Sequence, residues 1–404
     1  MSKALHALLV CLACQQAVVA ADSEPVPANN ESGWLLPGAL PGTVRFAGTN
    51  TSFGFGGRLE THATLGDVSY ESTQSGRDLL RYTQIPVNAG AEQDNQFRFS
   101  SRDSRLWFQL LRPGDARDLN AYVEVDMTES PGSYQFFLRH AYISMGPLLA
   151  GRSYTTFIDS AVLPDVDTGG SPGEIFLKRD QLRLTHRFNQ ALEIAVALEQ
   201  PDSRISEPAS TVIRQYDDDH KPSFVSRLTW RRDWGQLGLA TLVRSLRWKQ
   251  NGKDLQSTVG GIGLSGRLNT GTLNNIRFMA NYGNGLGRFI ASGAYADASV
   301  SRDFSKLNAQ PVFSAMVAYQ HFWNSEWRST VSLGQSRAEL PGSASQQATE
   351  RARSAQANLF WSPVPELSLG VEYLHAQRRL LDGQDGELNR LMLSARYTFQ
   401  LAGI

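Results

Sequence analysis

Leu391-Met392-Leu393-Ser394-Ala395-Arg396-Tyr397-Thr398-Phe399 alternates along its whole length. Leu391, Leu393, Ala395, Tyr397 and Phe399 fall on one side of an extended chain, and Met392, Ser394, Arg396 and Thr398 on the other. Successive side chains of a strand point to opposite faces, so the pattern predicts a strand with one apolar and one polar surface. Leu119–Met127 repeats it, with Leu119, Ala121, Val123, Val125 and Met127 against Asn120, Tyr122, Glu124 and Asp126. So does Ala191–Glu199, where Leu192, Ile194, Val196 and Leu198 oppose Glu193 and Glu199. Helical stripes of similar length are absent. Segments of this length and period are what a transmembrane strand requires.

Working outward, the same pattern marks sixteen segments: 52–66, 95–111, 118–130, 133–146, 148–157, 178–188, 191–201, 221–232, 234–249, 255–269, 272–284, 312–323, 326–341, 351–362, 366–382 and 386–399. An even number suits a bacterial outer-membrane barrel, so the expected fold class is all-β, a single transmembrane antiparallel β-barrel. The connections agree. Those at 67–94, 158–177, 202–220, 285–311 and 342–350 are long, and those between them are short. With the N-terminus in the periplasm, long loops fall outside the cell and short turns inside, as transmembrane barrels require. The tight Ser130–Ser133 turn is an exception on the outer side. Near strand ends stand Trp107, Phe108, Trp230, Trp234, Trp248, Phe322, Trp323, Trp327, Phe360, Trp361, Tyr397 and Phe399, which predict girdles at the two membrane interfaces.

Residues 1–21 resemble a secretory signal, with Lys3, an apolar Ala7–Ala13 and the small residues Val19-Ala20-Ala21 before Asp22. Both cysteines, Cys11 and Cys14, lie within it. Residues 22–51, with Pro25, Pro27, Pro37 and Pro41, form an extended periplasmic lead-in, and 52–404 the barrel. The 404-residue chain balances 39 Lys+Arg against 39 Asp+Glu, which excludes a strongly basic nucleic-acid binder. Its cations are nonetheless skewed, 33 Arg to 6 Lys, and arginine suits fixed contacts with carboxylate and phosphate.

The polar faces carry Arg98, Arg102, Arg139, Arg152, Arg179, Arg183, Arg187, Arg227, Arg231, Arg244, Arg277, Arg328, Arg390 and Arg396 against Glu124, Asp126, Glu193, Glu199 and Glu372. If the alternation holds, a neutral chain has turned an excess of positive charge inward. Arg98, Arg102, Arg139, Arg152, Arg179, Arg183 and Arg187 are the expected pore-lining wall. Individual arginines also have the plainer role of bracing the wall through carboxylates. A parity flip near Asp103 predicts a bulge that turns Arg105 inward as well. The loop 158–177 is expected to fold into the lumen as a constriction, with Asp159, Asp165 and Asp167 facing the basic wall. The spacing of Asp165 and Asp167 also suits calcium, but the rest of an EF-hand loop is missing. His186 is placed outward at the interface and His140 in the wall. No HExxH, GxSxG or Walker A pattern occurs, so no enzyme, catalytic residue, metal or cofactor is expected.

The chain resembles the DcaP-like outer-membrane porins. The resemblance lies in Leu40-Pro41-Gly42-Thr43 with Thr51–Gly57, in Phe97-Arg98-Phe99 through Arg105, and in Arg139-His140-Ala141-Tyr142, Leu149–Phe157, Leu163-Pro164 and Arg179–Arg183. It is strongest over residues 40–190. It implies a trimeric sixteen-stranded porin for anionic small molecules such as dicarboxylates. Unlike many members, this chain has no N-terminal coiled coil, and Phe399 is followed by Gln400–Ile404. The expected function is passive diffusion of small anionic solutes across the bacterial outer membrane, with membrane lipid as surroundings and a homotrimer as the assembly. The alternatives are a plugged or structural barrel binding a partner through its outer loops, and a soluble periplasmic β-protein.

Overall fold

Period-two alternation is realised as one closed antiparallel β-barrel of sixteen strands. The computed structural model describes residues 34–67, 80–87, 96–115, 117–130, 133–167, 170–216, 219–290 and 293–401. The expected signal segment, residues 1–21, and the Ser130–Ser133 turn residues 131 and 132 lie outside these. The chain enters through a small hairpin of β1 (Leu35–Pro37) and β2 (Thr43–Phe46), which adds to the start of β3 (Ser52–Gly66). This lead-in is therefore folded from residue 34 rather than extended throughout. Leu36 and Val44 bury one side of it, and Trp34 stacks on Phe46.

The second barrel strand is interrupted. Its halves, β4 (Gln96–Ser100) and β5 (Arg105–Arg112), both pair with β3. Phe97 and Phe99 face outward before the break, Phe108 and Leu110 after it, so parity flips at residues 101–104 as the sequence suggests. The wall continues through β6 (Leu119–Ser130), β7 (Ser133–Met145), β8 (Leu148–Tyr154), β9 (Lys178–Arg187) and β10 (Leu192–Glu199). After β10 the outer connections form a separate four-stranded sheet: β11 (Ser203–Ser206) and β12 (Ile213–Tyr216), joined later by β17 (Ala298–Val300) and β18 (Leu307–Ala309). Between them run the barrel strands β13 (Ser223–Arg232), β14 (Gly235–Gln250), β15 (Lys253–Asn269) and β16 (Asn275–Asn284). The wall ends with β19 (Pro311–Phe322), β20 (Trp327–Ala338), β21 (Thr349–Val364), β22 (Leu367–Leu380) and β23 (Asp385–Gln400).

Closure is made by β23 against β3, from Arg390 opposite Gly66 to Gln400 opposite Gly56. The last strand thus continues past Phe399, and the Leu401 N–H donates to the Phe55 carbonyl at 2.8 Å. Closing the sheet leaves no edge strand, the one way a sheet can satisfy its backbone in lipid.

Trp230, Trp234, Trp323, Trp327 and Trp361 stand exposed at the ends next to short turns, as an interfacial girdle requires. Four of the expected girdle residues do not join it, among them Phe322, which lies on the inner face opposite Arg328. Trp107 lies opposite Glu124, on the inner face, over Gly56. Phe360 is fully buried inside. Trp248 is buried against Phe304 beneath the outer-loop sheet. Alternation within a strand places a ring on a face, but the loop that covers it comes from elsewhere in the chain.

The inner side is not uniformly polar. Leu80, Tyr82 and Ile85, then Phe157, Ile158 and Val162, and then Leu286, Phe289, Ile290 and Tyr295 come from three different connections. They pack as one apolar cluster against Ala240, Met279, Met316, Ala352 and Leu374 of the wall.

Candidate functional site: the channel lumen

The connection between β8 and β9 carries the chain across the barrel. At its root Glu199 accepts hydrogen bonds from the Thr155 hydroxyl at 2.8 Å and the Thr156 N–H at 2.6 Å. Asp159 then accepts from the Gln236 amide on β14 at 2.7 Å. It also accepts from the Ala161 N–H at 3.1 Å, fixing a short helical turn over Ser160–Val162. Arg277 on β16 donates to the Leu163 carbonyl. Further on, Asp165 takes Arg328 at 2.8 Å and Arg396 at 3.2 Å.

Asp167 also takes Arg396, and accepts from the Ser394 hydroxyl at 2.6 Å. Its N–H donates to Glu372 at 2.7 Å, while Asn358 donates to the Asp165 carbonyl at 2.8 Å. Phe360 lies beneath both guanidinium groups, 4.7 Å from Arg328 and 4.8 Å from Arg396. The return path hugs the wall so closely that a Cβ on Gly173 would come 2.0 Å from the Ala315 carbonyl oxygen. The segment that leaves between β8 and β9 is thus bonded to β14, β16 and β19–β23, which lie across the lumen.

The acids of this loop do not confront an open basic wall. Asp165 and Asp167 are neutralised where they land, by Arg328 and Arg396, and Asp159 meets an amide. Alternation says which side of its own strand an arginine occupies, but not which loop crosses to reach it.

The seven arginines of the expected wall have diverse fates. Arg98 lies opposite buried Thr64 on the inner face. Arg102 sits in the break of the second strand, 3.2 Å from Asp103. Arg139 is the extra residue of a bulge and binds Glu124 at 2.9 Å and Asp126 at 2.5 Å. Arg179 is paired with Asp202 and Arg187 with Glu193 at 2.8 Å. Arg152 departs from expectation. It is opposite Ala141 and Asp180, on the outer face, and pairs with Asp180 at 3.4 Å. Its neighbours Gly151 and Ser153 take the inner face, so the parity assumed for this short strand is off by one residue.

Arg183 is different. It lies on the inner face opposite Ala197 and makes no hydrogen bond or ion pair among the described residues. Arg227, opposite Ala195 on the far side of β10, is in the same condition, and its Nε is buried without a partner. The two arginines are close enough to repel each other. Arg105 also faces inward and reaches Glu124 at 3.4 Å.

Several carboxylates escaped the sequence reading. Glu60 binds Arg58 and, at 3.0 Å, Arg396; its place beside His62 and Thr64 on one strand face was legible. Asp202 and Asp297 come from outer loops, with no periodic signal. Asp202 binds Arg288 at 2.6 Å as well as Arg179, and Asp297 lies 3.4 Å from Arg244. The inward excess of positive charge is therefore smaller than strand faces alone suggest, and remains at Arg183, Arg227 and Arg267. The last is an inner-face arginine of β15 opposite Arg277 that likewise makes no hydrogen bond or ion pair among the described residues. Glu60, His62 and Asp167 bring possible metal-ligating atoms within 4.8 Å of one another. Arg58 and Arg396 already occupy the two carboxylates, so these residues do not fit a cation.

The family of DcaP outer membrane proteins matches residues 51–399, nearly the whole barrel. The chain belongs to this family. It is an outer-membrane channel protein of the porin type. Among solved structures, the DcaP channel of Acinetobacter baumannii is similar at 19% identity, covering 87% of this chain and 99% of that one, with a TM-score of 0.73. An anion-selective porin from Comamonas acidovorans is similar at 9% identity, covering 86% and 100%, with a TM-score of 0.57. OmpT of Vibrio cholerae in a trimer form is similar at 11% identity, covering 87% and 100%, with a TM-score of 0.56. No curated protein matches this chain in sequence. Family and fold point to a channel rather than an enzyme.

Proposed function

We propose that this channel passes small anionic solutes, dicarboxylates among them, by passive diffusion. The observation that carries the reading is the Arg183–Arg227 pair, two neighbouring inner-face guanidinium groups with no carboxylate bonded to either among the described residues. Most other arginines of the interior hold a loop or a wall acid and contribute little net field. A lumen with a local excess of one charge raises the concentration of the opposite ion. A carboxylate passing this point exchanges water for charge-assisted hydrogen bonds from arginine. With few such groups, spaced along the wall, binding stays weak enough for the solute to leave.

A homotrimer belongs to the same proposal. Arg152 and Asp180 put a charged pair on the outer wall, where lipid is a costly surrounding and a subunit contact a tolerable one.

The apolar packing of three connections inside the barrel favours a second reading, a plugged barrel that binds a partner through its outer loops. Single-channel conductance and reversal potential under a potassium chloride gradient separate the two. Stepwise currents with anion preference support the porin. Cation preference removes the anion reading, and silence from folded protein leaves the plugged barrel.

A further inference from the structure

The inner wall of β6–β8 and the end of the crossing loop together carry a chain of aromatic rings, with His140 buried within it and Tyr154 packed against the loop's apolar cluster. Tyr142 lies 5.4 Å from Tyr122 between ring centroids, and Tyr122 lies 6.2 Å from His140. His140 meets the edge of Tyr154 at 5.0 Å, and Tyr154 that of Phe176 at 5.6 Å. Tyr122 and Tyr142 are cross-strand partners on the inner face of β6 and β7, next to the inward pair Glu124 and His140.

Strand direction orders the rings. Long connections are outermost, so Phe176 and Tyr154 stand towards the outside, with Tyr122 and Tyr142 further in. Arg183 follows on β9, near enough to Tyr142 to interact with it electrostatically. Lys178 marks the outer end, 4.5 Å from the Phe176 ring centroid and 4.8 Å from that of Tyr154. Phe176 remains 37% exposed although it belongs to a loop otherwise packed against the wall.

We propose that these rings form a track for aromatic carboxylates, which bind here more strongly than aliphatic carboxylates of equal charge and similar size. The inference rests on the anion-channel reading and names a substrate class for the same lumen. A carboxylate alone needs only the Arg183–Arg227 pair. An aromatic carboxylate gains in addition edge or face contacts with successive rings, because ring quadrupoles favour offset and edge-to-face approach. The contacts are spread along the path rather than gathered in one pocket. Each is weak, as conduction requires. The crossing loop packs on Tyr154 and contributes Phe176, but its hydrogen bonds and ion pairs among the described residues lie on β9, β10, β14, β16, β19–β23 and in the 286–290 connection, not on β5–β7, where Tyr122 and Tyr142 stand.

The test compares benzoate with cyclohexanecarboxylate as blockers of the chloride current through the full-length channel in planar bilayers. The two have one charge and nearly the same bulk, and only benzoate has a π-system. Benzoate is expected to block at about two- to tenfold lower concentration, the range given by an aromatic pair contact. Tyr142→Leu and Phe176→Leu, separately and together, are expected to bring the two blockers towards equality. Equal block in the unaltered channel overturns the track, and needs no variant to fold. A benzoate preference that persists in the double variant overturns the assignment to these rings. A reversal potential favouring cations overturns the anion reading itself, which separates that failure from failure of the track.

Discussion

Arg183 on β9 and Arg227 on β13 face the lumen from either side of β10, across from Ala197 and Ala195, with no carboxylate bonded to either among the described residues. Buried cations are normally paired, because an unpaired charge in a low-dielectric site is costly. Two neighbouring guanidinium groups with no ion pair among the described residues keep a field that most of the interior has cancelled.

Arg183→Ala and Arg227→Ala are each expected to lower the chloride-to-potassium permeability ratio about threefold, the effect of one charge some 7 Å away in water. Arg152→Ala is expected to leave it unchanged, since that side chain is on the outer face. Reversal potentials under a salt gradient measure all three. A loss of selectivity in Arg152→Ala equal to that in Arg183→Ala would contradict the register of β8.

Arg396 holds Glu60, Asp165 and Asp167 at once, joining the last strand, the first strand and the crossing loop. Arg396→Ala leaves three acids without that partner. It is expected to destabilise the barrel by about 3–5 kcal/mol, as removal of one member of a buried ion pair does. The loop should detach, giving larger and noisier single-channel currents. Denaturant unfolding in detergent and current recordings check the two effects separately.

Acid should release the loop only at an extreme. Burial pushes the Asp165 carboxyl up, but Arg328 and Arg396 more than offset this and hold it at about 2. Its stabilising contribution is complete above the ordinary aspartate value of about 4 and is lost as pH falls through about 2. Currents are therefore expected to keep their quiet baseline at pH 5 and become noisy only well below pH 4. Early loss at pH 5 would show that other groups hold the loop.

Base acts at a different point. Burial, with Glu372 nearby, pushes Glu174 up to about 8 although the Ser171 backbone bond opposes this. A raised acid favours the neutral form in the folded state, so its contribution is full below the ordinary glutamate value of about 4 and is lost as pH rises towards 8. Above pH 8 the loop carries a buried charge next to the wall. Thermal unfolding between pH 6 and 9 is expected to show a fall in midpoint, and Glu174→Gln to flatten it.

Gly173→Ala tests the close approach directly. The added methyl would meet the Ala315 carbonyl oxygen, part of a backbone held in the wall, so the loop has to move instead. Conductance is expected to rise while heat-modifiable gel mobility, the sign of a folded barrel, is retained. An unchanged conductance would show that the wall yields.

Much was legible in the chain because strand alternation is a local code. The nine residues Leu391–Phe399 are enough to place Arg396 inside, and the parity flip at Asp103 predicted both the break between β4 and β5 and the inward turn of Arg105. Glu193, Glu199 and Glu372 were placed correctly on inner faces for the same reason. The code failed where it is thin. In β8, seven residues long and pivoting at Gly151, one step of parity moved Arg152 from lumen to outer wall.

Strand number, the alternation of long and short connections, the inward arginines of long strands and the family resemblance were thus determined by the sequence alone. They depend on neighbours a few residues apart. Only the tertiary structure decided which acid neutralises which arginine. Asp167 and Arg396 are separated by most of the barrel in sequence, and no period relates them. Closing the sheet brings them together, and what it leaves without an ion pair among the described residues, Arg183 and Arg227 among them, is a remainder that appears only after the other charges have been placed.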